Sequence, residues 1–158
     1  MDTTPLRDAY RALLDAAANV AGSGDPKAPP AGEWNADQIL AHVAIVNATT
    51  IAAASCVASG ANTTYDNRTA HDIWTLDRVI TNAGGNAGLR ERIRLQGEAL
   101  CMLGGPVLSE AELATLVPTL LLSHDTVLVD QPMPLRDLIG GLAEAELPGH
   151  TKQLLALL

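Results

Sequence analysis

The chain reads as mainly α-helical, a four-helix bundle with a short helix and a small extended excursion before the last helix. Three observations predict this. Long segments carry apolar residues at spacings of three and four, the period of a helix buried on one face. Two helices open on capping-box patterns, Asn35 with Gln38 and Ser109 with Glu112. Only one stretch, around residues 119–130, changes to a β-like period.

The first helix is expected from Pro5 to Ala21. Thr4 is placed to cap it, and Pro5 suits the first turn, where a missing N–H removes no helical bond. Leu6, Tyr10, Leu13, Leu14 and Ala17 form one stripe. Gly22-Ser23-Gly24 ends the helix, and the Pro- and Gly-rich residues 22–33 form a loop. The second helix starts at the Asn35 cap and runs to about Ser59, where Gly60 stops it. Trp34 and Ile39 flank the cap as a hydrophobic staple, a structural role that weighs more for Trp34 than that of a substrate platform. His42 falls in the second turn, with Asn35, Gln38, Val46 and Thr49 on its face. That face is more polar than the rest, as a lined cavity requires. From Gln38 to Tyr65 there is no Asp, Glu, Lys or Arg. The Asn, Thr, Ser and many Ala residues there favour a buried central helix over a membrane span.

Residues 60–68 read as a polar loop. Thr69 is placed to cap a third helix carrying Ile73, Trp74, Leu76, Val79 and Ile80, which Gly84-Gly85 should break. A helix resumes from about Ala87 to Leu103, with Leu89, Ile93 and Leu100 inward, and Gly104-Gly105-Pro106 ends it. Ser109 and Glu112 start a helix of about two turns. Thr119–Leu122 and Val127–Asp130 predict a small hairpin around Ser123-His124-Asp125-Thr126. Pro134 opens the last helix, with Leu135, Leu138, Ile139, Leu142 and Leu147 periodic. The pattern describes one domain over residues 1–158.

Composition narrows the function classes. The 158 residues suffice to bury a core, and the net charge of −8 argues against a nucleic-acid partner. Arg90, Arg92 and Arg94 are the nearest thing to a basic cluster, diluted by Glu91 and Glu98. Cys56 and Cys101 form no C-x-x-C pair, which excludes a cysteine zinc or redox motif; both read as reduced core residues. The N-terminal residues lack a basic, then apolar, leader pattern. A cytoplasmic protein with a small-molecule partner, and no membrane or nucleic-acid partner, is expected. The long uncharged second helix is compatible with a homodimer.

One constellation is able to carry chemistry. His42 on the second helix, with Glu146 and His150 near the C-terminus, offers two imidazoles and a carboxylate. Such a set holds a divalent metal and leaves coordination positions open; zinc and non-haem iron both use it. Residues four apart on a helix share a face, so Glu146 and His150 can grip one ion. Pro148 and Gly149 lie between them, predicting a kink or a helix restart with Pro148 in its first turn. His71 and His124 read as surface residues. No separate general base stands out.

The segment Gly32-Glu33-Trp34-Asn35-Ala36-Asp37-Gln38-Ile39-Leu40-Ala41-His42-Val43 resembles the signature of the DinB-like superfamily of helix bundles. His150-Thr151-Lys152-Gln153-Leu154 resembles the family's last-helix motif, and the extended excursion before it fits too. The resemblance spans essentially the whole chain. It implies a divalent metal, often zinc or nickel, held in most members by three histidines. His42 and His150 match two of those positions. Glu146 stands at the third, as in the branch that contains mycothiol-dependent maleylpyruvate isomerase. The resemblance thus implies ligation by His42, Glu146 and His150 and a thiol cosubstrate of the mycothiol type. Thiol transfer to a small electrophile is the leading expectation. A metal-dependent hydrolase and a non-catalytic binding or dimerisation bundle with an empty site are the alternatives.

Overall fold

The computed structural model describes residues 1–24, 26–123 and 126–158. The protein is mainly α-helical, with a three-stranded sheet inserted ahead of the final helical segment. Helix α1 (Thr4–Gly22) and helix α2 (Ala36–Ala58) lie opposite one another. Between them on one side is α4 (Asn86–Met102), and on the other the last helix, α6 (Leu135–Gly141) and α7 (Leu147–Leu155). Helix α3 (Ile73–Ala83) packs outside on α2 and α4. The predicted stripes meet in the core: Leu6, Leu13, Leu89, Ile93, Leu100, Leu138, Ile139 and Leu147 are all buried, as is Ile39 of the staple, while Leu14 is only partly buried.

Helix ends follow local chemistry, with two corrections. Thr4 is the first helical residue and not a cap; the Asp2 carboxylate accepts the Thr4 N–H at 2.9 Å. Thr69 does not cap α3. It lies in a 3₁₀ turn, Arg68–His71, and Asp72 takes the Thr75 N–H at 2.9 Å instead. The longer reach of an aspartate one turn closer to the apolar run wins. The capping box of α2 is complete, with both Asn35–Gln38 bonds at 3.0 Å. Gly84 and Gly85 both take positive φ, 75° and 83°, which separates α3 from α4. Of the apolar residues that the third helix carries, Ile73 and Trp74 are largely exposed, and the Arg78 guanidinium lies 5.8 Å from the Trp74 ring.

Helix α2 is long and apolar enough to cross a membrane by length and composition, yet 61% of its most apolar window is buried inside the protein. Ala41, Ala44, Ala53 and Ala54 are buried along it, side chains small enough for neighbouring elements to come close. Cys101 is buried as expected, whereas Cys56 is only half-buried.

The loop expected over residues 60–68 contains a strand. β1 (Tyr65–Asp66) pairs in parallel with β2 (Leu116–Ser123), which pairs antiparallel with β3 (Thr126–Pro134). The hairpin is therefore longer than its β-like runs suggested, while the capped helix α5 (Glu110–Leu113) has one turn, not two. Pro118 faces Pro132 across the hairpin. Neither has an N–H, so this is a non-hydrogen-bonded pair, and the same alternation turns Pro132 and Pro134 toward the open edge of β3. That edge is thereby short of donors and resists further strand pairing. The reading of His124 as a surface residue lies outside the described residues.

The last helix is not α-helical throughout. A π turn over Leu142–Glu146 sits between α6 and α7, closed by the Leu147 N–H on the Leu142 carbonyl. Proline cannot donate to the fourth residue back, and its ring collides with that residue's carbonyl. The wider turn ends just before Pro148 and opens the hydrogen-bond pattern where proline would otherwise break it. Glu146 and Leu147 keep right-handed helical angles, so the chain stays helical through the junction and the wider turn before Pro148 accommodates it. A Pro148→Ala variant should change unfolding free energy in urea by less than about 1 kcal/mol. A gain of about 3 kcal/mol would instead mark a proline straining a helix interior.

Candidate metal centre

Three elements bring the predicted residues together. The complete cap of α2 sets the phase that points His42 inward, at 3% exposure. The π turn ends at Glu146, and α7 carries His150 one turn on. One ligand-type atom from each residue lies within 4.8 Å of the other two. Glu146 Oε1 is 2.8 Å from His42 Nε2 and 3.2 Å from His150 Nε2. Donors about 2.1 Å from one tetrahedral ion stand about 3.4 Å apart, so this spacing suits a single small cation.

The outer partners decide which atoms face inward. His42 Nδ1 donates to the Ala70 carbonyl at 2.8 Å, and His150 Nδ1 donates to Gln153 Oε1 at 2.7 Å. A ring kept neutral in this tautomer would carry its lone pair on Nε2, aimed at the Glu146 carboxylate; without a cation, a proton at that position makes the bond to Glu146 instead. Three acceptors converging in this way require either protons or a cation between them. Two imidazolium charges so close together, in a largely buried place, would repel and lose hydration. One divalent ion satisfies all three donors at once. Supporting oxygens on the far ring nitrogens are also what ligating histidines have.

The electrostatics follow from this packing. Burial alone would push the Glu146 carboxyl up, but the bonds from His150 and His42 outweigh it and hold it well below the usual carboxylate range. Burial works against the charged form of His150, and Glu146 and Gln153 more than compensate, so it sits above the usual histidine value. Tyr65, buried beside them, is pushed up to about 12 by loss of solvation, and stays a neutral phenol.

The centre opens on a cavity of about 640 Å³, within the range of small-molecule sites. Its floor is polar and its walls are aliphatic, from α2, the hairpin and α6. Trp34 lies over the site, its ring centroid 4.8 Å from that of His42 and 6.4 Å from that of His150. Beside the staple position read from sequence, the indole thus contacts the imidazoles and screens them from water.

Sequence reasoning misplaced some residues here. His71, taken as a surface residue, lines the cavity with its ring 5.0 Å from His42. Thr49 does not share the His42 cavity. It faces a separate groove with Ala48, Val79 and Gln96, and the buried polar residues of α2 beyond His42 are Asn47 and Thr50. Seven residues bring the side chain back to within about 20° of the same face but about 10 Å further along the axis, beyond the cavity. Ala70, whose carbonyl orients His42, carries no side-chain signal, so no residue pattern could have shown it. Asn67 places it: its side-chain amide bonds both backbone groups of Leu122, at 2.8 and 2.9 Å, and its carbonyl accepts the Ala70 N–H. The polar run read as a loop thus anchors the 3₁₀ turn to the hairpin.

Fold and site together define a mainly helical bundle with a largely buried His-Glu-His group that could hold a metal ion. Comparisons of the chain with family models, with curated proteins and with solved structures find no match.

Proposed function

We propose that His42, Glu146 and His150 bind one divalent cation, zinc foremost, with nickel or iron admitted by the same donors, and that the site transfers a low-molecular-weight thiol of the mycothiol type to a small electrophile. The observation that carries the metal is the convergence of two imidazole nitrogens and a carboxylate, each ring fixed from behind by an oxygen. The DinB-like resemblance of the Trp34–His42 and His150–Gln153 motifs, with Glu in place of the third His, supports the thiol chemistry.

A divalent cation would supply Lewis acidity, which lets a thiol ionise near neutral pH. The chain's own residues do the rest. Ala70 and Gln153 hold the two imidazoles in the tautomer that offers Nε2. Glu146 contributes negative charge that lowers the net charge of the centre. Trp34 and the aliphatic walls exclude water and leave room for an electrophile.

The test uses protein purified without a histidine tag, loaded with zinc, and assayed for loss of free thiol in the presence of an electrophile panel. Metal-loaded protein should consume thiol, chelator-treated protein should not, and restoring zinc should restore the rate. Product formed equally fast with no thiol present would overturn transfer in favour of hydrolysis. Failure to bind any divalent ion after reconstitution would leave the non-catalytic bundle.

A further inference from the structure

The cavity beside the three donors has a one-sided charge pattern. Among the described residues that line it, none is Lys or Arg, and the three residues outside the description, Asp25, His124 and Asp125, add neither. Two carboxylate side chains not used as ligands, Glu33 and Asp137, line it as well, both solvent-exposed and therefore toward the mouth. They come from separate elements: Glu33 precedes the cap of α2, and Asp137 is in the first turn of α6. The remaining walls are largely apolar, with Val46, Leu121, Met133 and Leu142, and the exposed Leu128 adds an apolar side chain to the lining. The Trp34 indole, adjacent to Glu33, adds an aromatic face, which attracts cations.

An anionic end lying toward the mouth, away from the donors, meets no Lys or Arg there and is repelled by the two carboxylates. Recognition of carboxylates and phosphates ordinarily relies on Arg or Lys. We infer that the cavity takes an apolar small molecule whose end remote from the donors is neutral or cationic, and that it discriminates against ligands with an anionic end there. This rests on the metal centre proposed above and deepens it by assigning the charge class of the ligand. Dicarboxylate substrates are thereby disfavoured.

The experiment loads the protein with cobalt(II), whose visible absorption reports its coordination. The band is titrated with three thiols of equal length: mercaptohexanoate, hexanethiol and (trimethylammonio)hexanethiol. The cationic thiol should perturb the band at about tenfold lower concentration than mercaptohexanoate, with hexanethiol between, a gap that narrows as salt is raised. The surface double variant Glu33→Gln/Asp137→Asn should fold normally and bring the three curves together. Mercaptohexanoate binding as tightly as the cationic thiol, an unchanged gap in the double variant, or no response to any thiol would each overturn the inference. Absence of a cobalt band before any thiol is added would instead overturn the metal centre itself.

Discussion

His42→Ala protein should emerge from purification without stoichiometric metal, and zinc titration should show an affinity lower by at least about a hundredfold. Loss of a mere supporting hydrogen bond behind a ligand costs about 10–100-fold, so loss of a ligand sets that as the floor. The variant removes the only donor that α2 contributes to the group. It also leaves the Ala70 carbonyl without its ring partner, a buried acceptor whose loss costs about 1–3 kcal/mol. Differential scanning calorimetry separates the two effects. Wild-type protein at a thousandfold excess of zinc over Kd should gain about 4 kcal/mol over its metal-free form, and the variant should gain almost none. Gln153→Leu provides a graded comparison: it keeps all three donors but frees the His150 ring, and should lose about 10–100-fold in affinity. Zinc bound by His42→Ala as tightly as by wild type would remove the centre from consideration.

Gly97→Ala should destabilise the fold by about 2–3 kcal/mol although alanine is the better helix former by about 1 kcal/mol. A Cβ at this position on α4 would stand 2.9 Å from Cγ and Cδ2 of the Tyr10 ring on α1. The ring cannot easily yield. It is buried, and its hydroxyl donates to Asn47 Oδ1 at 2.6 Å. Asn47 in turn donates to Gln96, which donates to the Ala44 carbonyl at 2.9 Å. Displacing Tyr10 therefore strains a buried polar chain that ties α1, α2 and α4 together. Gly141→Ala, whose Cβ would meet nothing within 4 Å, is the control and should be neutral or stabilising by up to about 1 kcal/mol. Equal effects of the two in urea unfolding would refute the close approach of α1 and α4 at Gly97.

Both expectations show where sequence reasoning reaches. The inward phase of α2 was legible because Asn35 and Gln38 satisfy the first backbone donors locally, and the bonds are as short as the pattern implies. The same holds for Ser109 and Glu112 and for the break at Gly84-Gly85. By contrast, the Thr69 cap failed because Asp72, three residues on, competes for the same role, and the choice depends on a 3₁₀ turn held by Asn67. β1 was illegible because a two-residue parallel strand has no period of its own; it exists only because β2 lies beside it. His71 lies in the cavity because that turn folds back toward α2.

Residue types and their order determined the helical class, the starts of the principal helices and the three donors that could meet, because caps, glycine breaks and apolar spacing act within a few residues. Tertiary structure alone decided that the donors do meet. Glu146 and His150 reach His42 across about a hundred residues of chain, since the π turn before Pro148 rephases the last helix against α2. It alone supplied the Ala70 carbonyl and the Gln153 oxygen behind the rings, and the charge pattern of the cavity. These depend on backbone atoms and surfaces from distant segments, which become neighbours only when the core closes.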